Sequence, residues 1–201
     1  MLAEKLKLPV VCPGELLRHE IELNTKIGKR IKPILKLGEL VPSKLVEKII
    51  SQCLKKPNAK AGAVFDGYPR NREQLNFLIK RLKTITNNKD SVYAVFIDVS
   101  DKEIKQRLGG RRACDCGAVY HLKYNSPKKR GICDLCGKKL YIRDDDRPAV
   151  VAGRLKLYRN QTSPLLDYWQ RRGKLIRIDG KQSIEKVQKD IINNLRKRGV
   201  I

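Results

Sequence analysis

Aromatic residues are scarce, with three Phe, one Trp and seven Tyr making up 5% of 201 residues. They lack the spaced pattern with which single-strand nucleic-acid binders stack bases. Apolar runs are short, and none approaches the ~20 residues a helix needs to cross a bilayer. The opening Met1 to Leu6 carries neither the apolar segment nor the cleavage site of a secretory signal. A cytoplasmic protein with no membrane partner is therefore expected. Acidic residues are also few, 21 against 45 Lys plus Arg, and the formal net charge is +24. That balance favours anionic partners such as nucleotides, nucleic acid or acidic surfaces. The plainer alternative is a lysine-rich soluble surface, because the charge is spread over many segments. No internal repeat or low-complexity linker divides the chain, so one monomeric domain with an inserted lobe is expected.

What the chain does have is six cysteines, four of them between Arg111-Arg112 and the charged run Arg143-Asp144-Asp145-Asp146-Arg147. Two close pairs, Cys114/Cys116 and Cys133/Cys136, separated by a hydrophilic loop, predict a tetrahedral four-thiolate site. Zinc is the expected ion, since sulfur ligands disfavour magnesium and calcium and no redox partner is evident. Gly117 and Gly137 follow the second cysteine of each pair, where a tight turn is useful. The first pair is one residue shorter than the usual spacing. The alternative, four free thiols in a loop, suffers from the lack of apolar material to hold so polar a segment together. Cys12 and Cys53 stand alone and read as small core residues.

Apolar periodicity predicts helices over 13–24 and 26–37, and a third from Pro42-Ser43 to about Lys56. The period then changes. Ala61 to Phe65 and Val92 to Asp98 are compact runs rich in β-branched and aromatic residues, as expected of strands buried on both faces. A helical pattern at 71–83 lies between them. Further helices are expected at 101–109, 148–172 (one long helix) and 183–198, with a strand at 174–178. Alternating strands and helices predict an α/β fold with a parallel sheet flanked by helices. Ligands of such sheets bind beyond the carboxyl ends of the strands.

The first of these strands runs into Asp66-Gly67-Tyr68-Pro69-Arg70. A carboxylate at a strand end, a glycine allowing close backbone approach and a proline directing an arginine make a compact anion device. By itself the pattern is also an ordinary turn. Gln74 follows one helical turn later, on the face of Arg70, within reach of a base edge. Arg107 and Arg111 are spaced by four before the cysteine lobe, and Arg143 and Arg154 flank its exit. Arginines converging from both ends of one lobe suit a polyphosphate. The alternative is surface pairing with Asp144 to Asp146.

With these residues in hand, the chain resembles the adenylate kinases, in the long form with a zinc-binding lid. The likeness is carried by Leu16-Leu17-Arg18, Gly38 to Val41, Asp66 to Arg70 with Gln74, Gly110-Arg111-Arg112, Val119-Tyr120-His121, Cys133 to Gly137, Arg143 to Asp145, Arg154, and Asp179-Gly180. It implies a P-loop-kinase-like fold with a helical AMP-binding insertion at about 12–41, a zinc-stapled lid at about 110–146 and a core formed by the remainder. It also implies reversible phosphoryl transfer from MgATP to AMP, giving two ADP. AMP would be held by Arg18, the backbone of Glu39, Leu40 and Val41, the segment Gly67, Tyr68, Pro69 and Arg70, and Gln74. Arg143 and Arg154 would touch the AMP phosphate or the transferring group. Arg107, Arg111, the backbone of Val119 and Tyr120, and that near Gln182 would hold ATP, while Asp66 would order magnesium-bound water. Zinc in the lid and magnesium with ATP are the implied cofactors, and no nucleic-acid partner is implied.

Two departures from the family pattern stand out. Pro13 occupies the place of the family's adenine-side threonine, and no Gly-x-x-x-x-Gly-Lys-Ser/Thr loop occurs in the sequence. The family's first, central strand has no counterpart either. A chain truncated at its start by roughly 15–20 residues, with impaired turnover, is expected on that ground. A non-catalytic nucleotide binder and a zinc-ribbon nucleic-acid binder are the competing functional expectations.

Overall fold

The computed structural model describes residues 2–59, 61–85 and 92–201. A short helix α1 (Leu2–Leu6) and a two-residue strand β1 (Val10–Val11) precede three helices, α2 (Pro13–Glu22), α3 (Lys26–Lys36) and α4 (Ser43–Leu54). Their starts are written in the sequence. Pro13 occupies the first turn of α2, where its missing N–H is no loss. Thr25 caps α3 by accepting the Gly28 amide at 2.9 Å while its hydroxyl donates to the Glu20 carboxylate at 2.6 Å. The inward faces of these helices meet β1 and its neighbour in the largest core cluster, built on Val11, Leu17, Ile31, Val41, Val46, Ile50 and Tyr68. Cys53 packs against this cluster, as expected of a small core residue, and Cys12 is half-buried.

Strand β2 (Val64–Phe65) pairs in parallel with β1, Val10 opposite Val64 and Val11 opposite Phe65. Helix α5 (Arg72–Ile85) follows, then β3 (Ala94–Asp98) and α6 (Asp101–Gly110), capped by Ser100. A hairpin of β4 (Arg111–Ala113) and β5 (Val119–His121) opens the cysteine lobe. Beyond it lie a 3-10 turn at Asp144–Asp146, α7 (Pro148–Leu157), α8 (Pro164–Arg171), β6 (Leu175–Asp179) and α9 (Ile184–Lys197). β6 lies parallel to β3 over five residue pairs, from Ala94–Leu175 to Asp98–Asp179. α9 covers β6 through Ile176, Ile178, Ile191 and Leu195. Leu75, Leu165 and Trp169 join α5 to α8 in a third cluster.

The fold is thus the expected α/β arrangement of parallel strands flanked by helices, with three differences in detail. Among the described residues the parallel strands form two separate pairs, β1–β2 and β3–β6. Accordingly β3 is not buried on both faces: Val95 and Ile97 are 36% and 44% exposed. The run from Ala61 shortens to a strand of two residues, Val64–Phe65. Finally, the single helix expected over 148–172 is interrupted by a π turn at Tyr158–Thr162, where the Ser163 amide reaches back five residues to the Tyr158 carbonyl at 2.8 Å. Pro164 has no N–H to continue the ladder, so the chain widens one turn and restarts as α8 with proline in its first turn.

Candidate functional site

Asp66 to Arg70 crosses from the carboxyl end of β2 to α5, and its geometry is closely determined. Gly67 has φ +65°, and a Cβ there would sit 2.9 Å from an Arg70 guanidinium nitrogen. Glycine therefore supplies both the backbone conformation and the room for that side chain. Arg70 Nε donates to the Gly67 carbonyl at 2.8 Å, and the Arg70 amide donates to Gln74 Oε1 at 2.8 Å. The Thr162 hydroxyl, in the π turn, donates to the Arg70 carbonyl at 2.7 Å. Tyr68 is buried and its hydroxyl donates to the Gln74 carbonyl at 3.3 Å. Burial, assisted by the charge of Glu47, raises the Tyr68 pKa and keeps the phenol protonated.

These residues form one wall of a pocket. Pro13, Leu17 and Val46 contribute apolar surface, Gly38 to Val41 form a backbone rim, and Arg18, Asp145 and Arg154 close the polar side. Of the residues expected at the first nucleotide, Arg18, Glu39, Leu40, Val41, Gly67, Tyr68, Arg70, Gln74 and Arg154 all line it. Pro69 lies within the same loop, and Asp66, just outside the lining, is exposed.

The arginines divide into two groups. Asp146 is fully buried and holds Arg111 through both carboxylate oxygens, with Arg154 3.5 Å away. Arg154 also donates to the Asp145 carbonyl at 2.8 Å. The acids next to the lobe therefore do pair with Arg111 and Arg154. By contrast, the guanidinium groups of Arg18 and Arg143 make no hydrogen bond or ion pair among the described residues. Arg70 binds only the Gly67 carbonyl through its guanidinium. Surrounding protein displaces water from Arg70 and lowers its pKa, and Arg154 adds to the lowering, although the residue keeps an exposed surface. Burial likewise lowers the Arg143 pKa, with Arg18 and Arg111 contributing repulsion. These mutual repulsions mark Arg18, Arg70, Arg111, Arg143 and Arg154 as electrostatic neighbours.

A second cluster lies at the start of the lobe. Arg107 bonds Glu103 at 2.6 Å and donates to the Gly180 carbonyl at 2.8 Å, tying α6 to the loop after β6. Its guanidinium stands 5.9 Å from the ring centroid of Tyr124, which is 52% exposed. In that loop the Gln182 amide donates to the Asp179 carbonyl and to Asp190. Val119 is exposed on β5, while Tyr120 points inward. Sequence reasoning missed Tyr124 and Thr162. Tyr124 carried a readable signal, an aromatic three residues after His121 in a chain poor in aromatics. Thr162 carried none, because its partner is 92 residues away.

In the lobe itself the Sγ atoms of Cys114, Cys116, Cys133 and Cys136 all lie within 4.8 Å of one another. Cys114 and Cys133 are buried, and Cys116 and Cys136 exposed. Gly117 and Gly137 both take positive φ at the expected turns. Burial opposes ionisation of Cys133, yet hydrogen bonds from Tyr120 and from the amides of Cys136 and Leu135 outweigh it, and the pKa falls to about 6. Four sulfurs this close, one already inclined to the thiolate form, suit a soft or borderline divalent ion.

Parallel strands flanked by helices, a cleft at a strand's carboxyl end lined by Arg18, Arg70 and Arg154, and a lobe carrying four clustered cysteines define an α/β protein with a cationic pocket. The adenylate kinase family model matches residues 1–174. The chain belongs to the adenylate kinase family. It is 40% identical over 195 residues to an adenylate kinase of Lachnospira eligens, covering 96% of this chain and 91% of that protein. Similar relatives are the adenylate kinases of Thermosipho melanesiensis, 37% identical over 197 residues, and Methanothrix thermoacetophila, 40% identical over 197. Each alignment covers 98% of this chain and 91% of the relative.

Proposed function

We propose that this chain performs adenylate kinase chemistry, the reversible transfer of a phosphoryl group from MgATP to AMP to give two ADP, in nucleotide homeostasis. The observation that carries this reading is that Arg18 and Arg70, which line an apolar-walled pocket, and Arg143, a neighbour of Arg18, have no carboxylate partner among the described residues. Such cations repel one another until an anion arrives, and a phosphate monoester of planar shape fits both the charge and the apolar wall.

In this reading 12–41 serves as an AMP-binding insertion, 110–146 as a lid, and the remainder as the core of one nucleoside-monophosphate-kinase domain. Arg18 and Arg70 hold the AMP phosphate, and the backbone of Glu39 to Val41 borders the base. Gln74 has its amide oxygen taken by Arg70, which leaves its NH2 group to donate. That group suits the unprotonated N1 of adenine and opposes the N–H of guanine. Arg143 and Arg154 neutralise charge on the transferring group. Arg107, Arg111, the Val119–Tyr120 backbone and the backbone near Gln182 hold ATP, with Tyr124 facing Arg107 as a stacking surface for its base. Magnesium would come with ATP and supply charge neutralisation for the phosphates, with Asp66 placed to hold its water shell. No dedicated base is needed, because alignment and charge neutralisation carry phosphoryl transfer. Lid closure excludes the water that would hydrolyse ATP. A cytoplasmic site of action agrees with four thiols spaced for a metal.

Calorimetric titration tests the AMP site: one AMP per chain, with GMP bound more weakly, is the expected result. No AMP binding removes the reading, and equal affinity for GMP removes Gln74 from base selection. Thr162→Val should weaken AMP about 2- to 10-fold, the effect of one hydrogen bond that fixes the Arg70 carbonyl, whereas Thr162→Ser should stay near the parent. Equal affinities for Thr162→Val and the parent would show that the Arg70 loop holds its place without this contact.

The four cysteines are assigned to structural zinc. Elemental analysis should find one zinc per chain. Replacing the buried Cys133 should cost more zinc than replacing the exposed Cys116, which belongs to the short-spaced pair Cys114–Cys116.

A further inference from the structure

The four-cysteine site has a polar neighbour that no ligand role accounts for. Tyr120 is 7% exposed, in the small cluster formed by Cys114, Cys133, Ala118 and Leu140. Its hydroxyl accepts the Asp134 amide at 2.8 Å and lies 3.6 Å from Cys133 Sγ. A phenol has one proton, and the Asp134 contact occupies an oxygen lone pair and leaves that proton free. The neighbouring acceptor is the Cys133 sulfur. The direction of the contact follows: Asp134 N–H donates to Tyr120 oxygen, and Tyr120 O–H donates to sulfur.

The cysteines fit the ion assigned to them. Zinc–sulfur bonds of about 2.3 Å in a tetrahedron separate the sulfurs by roughly 3.8 Å. The pairs Cys114–Cys136 and Cys116–Cys133 stand at 3.3 and 3.6 Å. Four thiolates on one dication leave a net charge of −2, carried on sulfur, two of them from buried residues. In such a site every hydrogen bond to sulfur spreads that charge and holds the ligand in place.

We propose that Tyr120 is a positioning residue for the metal: its hydroxyl holds the Cys133 thiolate in ligand geometry and slows release of the ion. The proposal rests on the four-cysteine metal reading above. It also gives Tyr120 a second duty. Its backbone pairs with Arg112 in the β4–β5 hairpin while its side chain reaches the sulfur, so one residue joins the hairpin to the metal.

The test compares zinc-loaded wild type, Tyr120→Phe and Leu140→Ala by transfer of zinc to a chromophoric chelator in excess. Cobalt-substituted samples report the thiolate-to-metal charge-transfer band. Tyr120→Phe keeps the ring and should release zinc about 10- to 100-fold faster, with a shifted band. Leu140 packs against the same cluster but offers no hydrogen bond to sulfur, so Leu140→Ala should leave the band in place. Fluorination of the Tyr120 ring keeps the contacts and strengthens the donor, so release should slow; this arm stands even if Tyr120→Phe does not fold. Wild-type release and an unshifted band in both Tyr120 variants overturn the proposal. Failure of the wild type to take up any metal overturns it together with the metal assignment.

Discussion

Arg70→Ala is expected to weaken AMP binding by about 1.5–3 kcal/mol, roughly 10- to 150-fold, the range of a hydrogen bond to a charged group. The size follows from how little else Arg70 does. Among the described residues its guanidinium makes a single hydrogen bond, to the Gly67 carbonyl, and no ion pair, so removing it breaks little inside the protein. The loop should persist as well, because Gln74 and Thr162 bind the Arg70 backbone and not its side chain. Arg70→Lys should recover only part of the loss, since an ammonium cannot make the two-pronged contact of a guanidinium with phosphate. Titration of all three proteins with AMP checks this, alongside a thermal melt expected to change little. Unchanged affinity in both variants would reduce Arg70 to a turn residue.

Asp146→Ala is expected to destabilise the fold by about 2–4 kcal/mol. Removing one member of a buried ion pair leaves its partner uncompensated, which ordinarily costs about 3–5 kcal/mol. The expected cost is set somewhat below that range because Arg111 and Arg154 retain about a quarter of their side-chain exposure, 26% and 27%, whereas the Asp146 side chain has none. Asp146→Asn keeps the shape and one oxygen acceptor and should lose about half as much. Urea denaturation of the three proteins gives the comparison. A change below about 0.5 kcal/mol for Asp146→Ala would mean that Arg111 and Arg154 find other partners when the carboxylate is removed.

The parts of the fold legible in the sequence were those where a local rule acts without help. Pro13 and Ser43 mark helix starts, and both α2 and α4 begin there. β-branched runs marked β3 and β6. The Asp66–Arg70 loop could be read because a strand end, a glycine and a proline are adjacent in the chain. What stayed hidden depends on partners distant in sequence. β1 has two residues, too few to show alternation, and exists through its pairing with β2. The β4–β5 hairpin is equally short. The break at Tyr158–Thr162 coincides with the polar run Arg159 to Ser163 and precedes Pro164, local signals that the apolar positions on either side outweigh when 148–172 is taken as one helix. At the site, residue types pointed to Arg18, Arg70 and the cysteines. They could not reveal that Asp146 neutralises Arg111 while Arg143 stays without an acid, since both stand in the same acidic run.

The chain's lone tryptophan has a practical consequence. Trp169 is 7% exposed, edge-on to Tyr168, in the cluster that joins α5 to α8. Its emission will follow melting of that region, whereas the four-cysteine lobe contains no indole and lies outside the cluster. Fluorescence will therefore stay silent when a chelator strips the lobe. Far-ultraviolet dichroism or tyrosine absorbance will register the change, and two unfolding curves that fail to superimpose would mark the lobe as a separately cooperative unit.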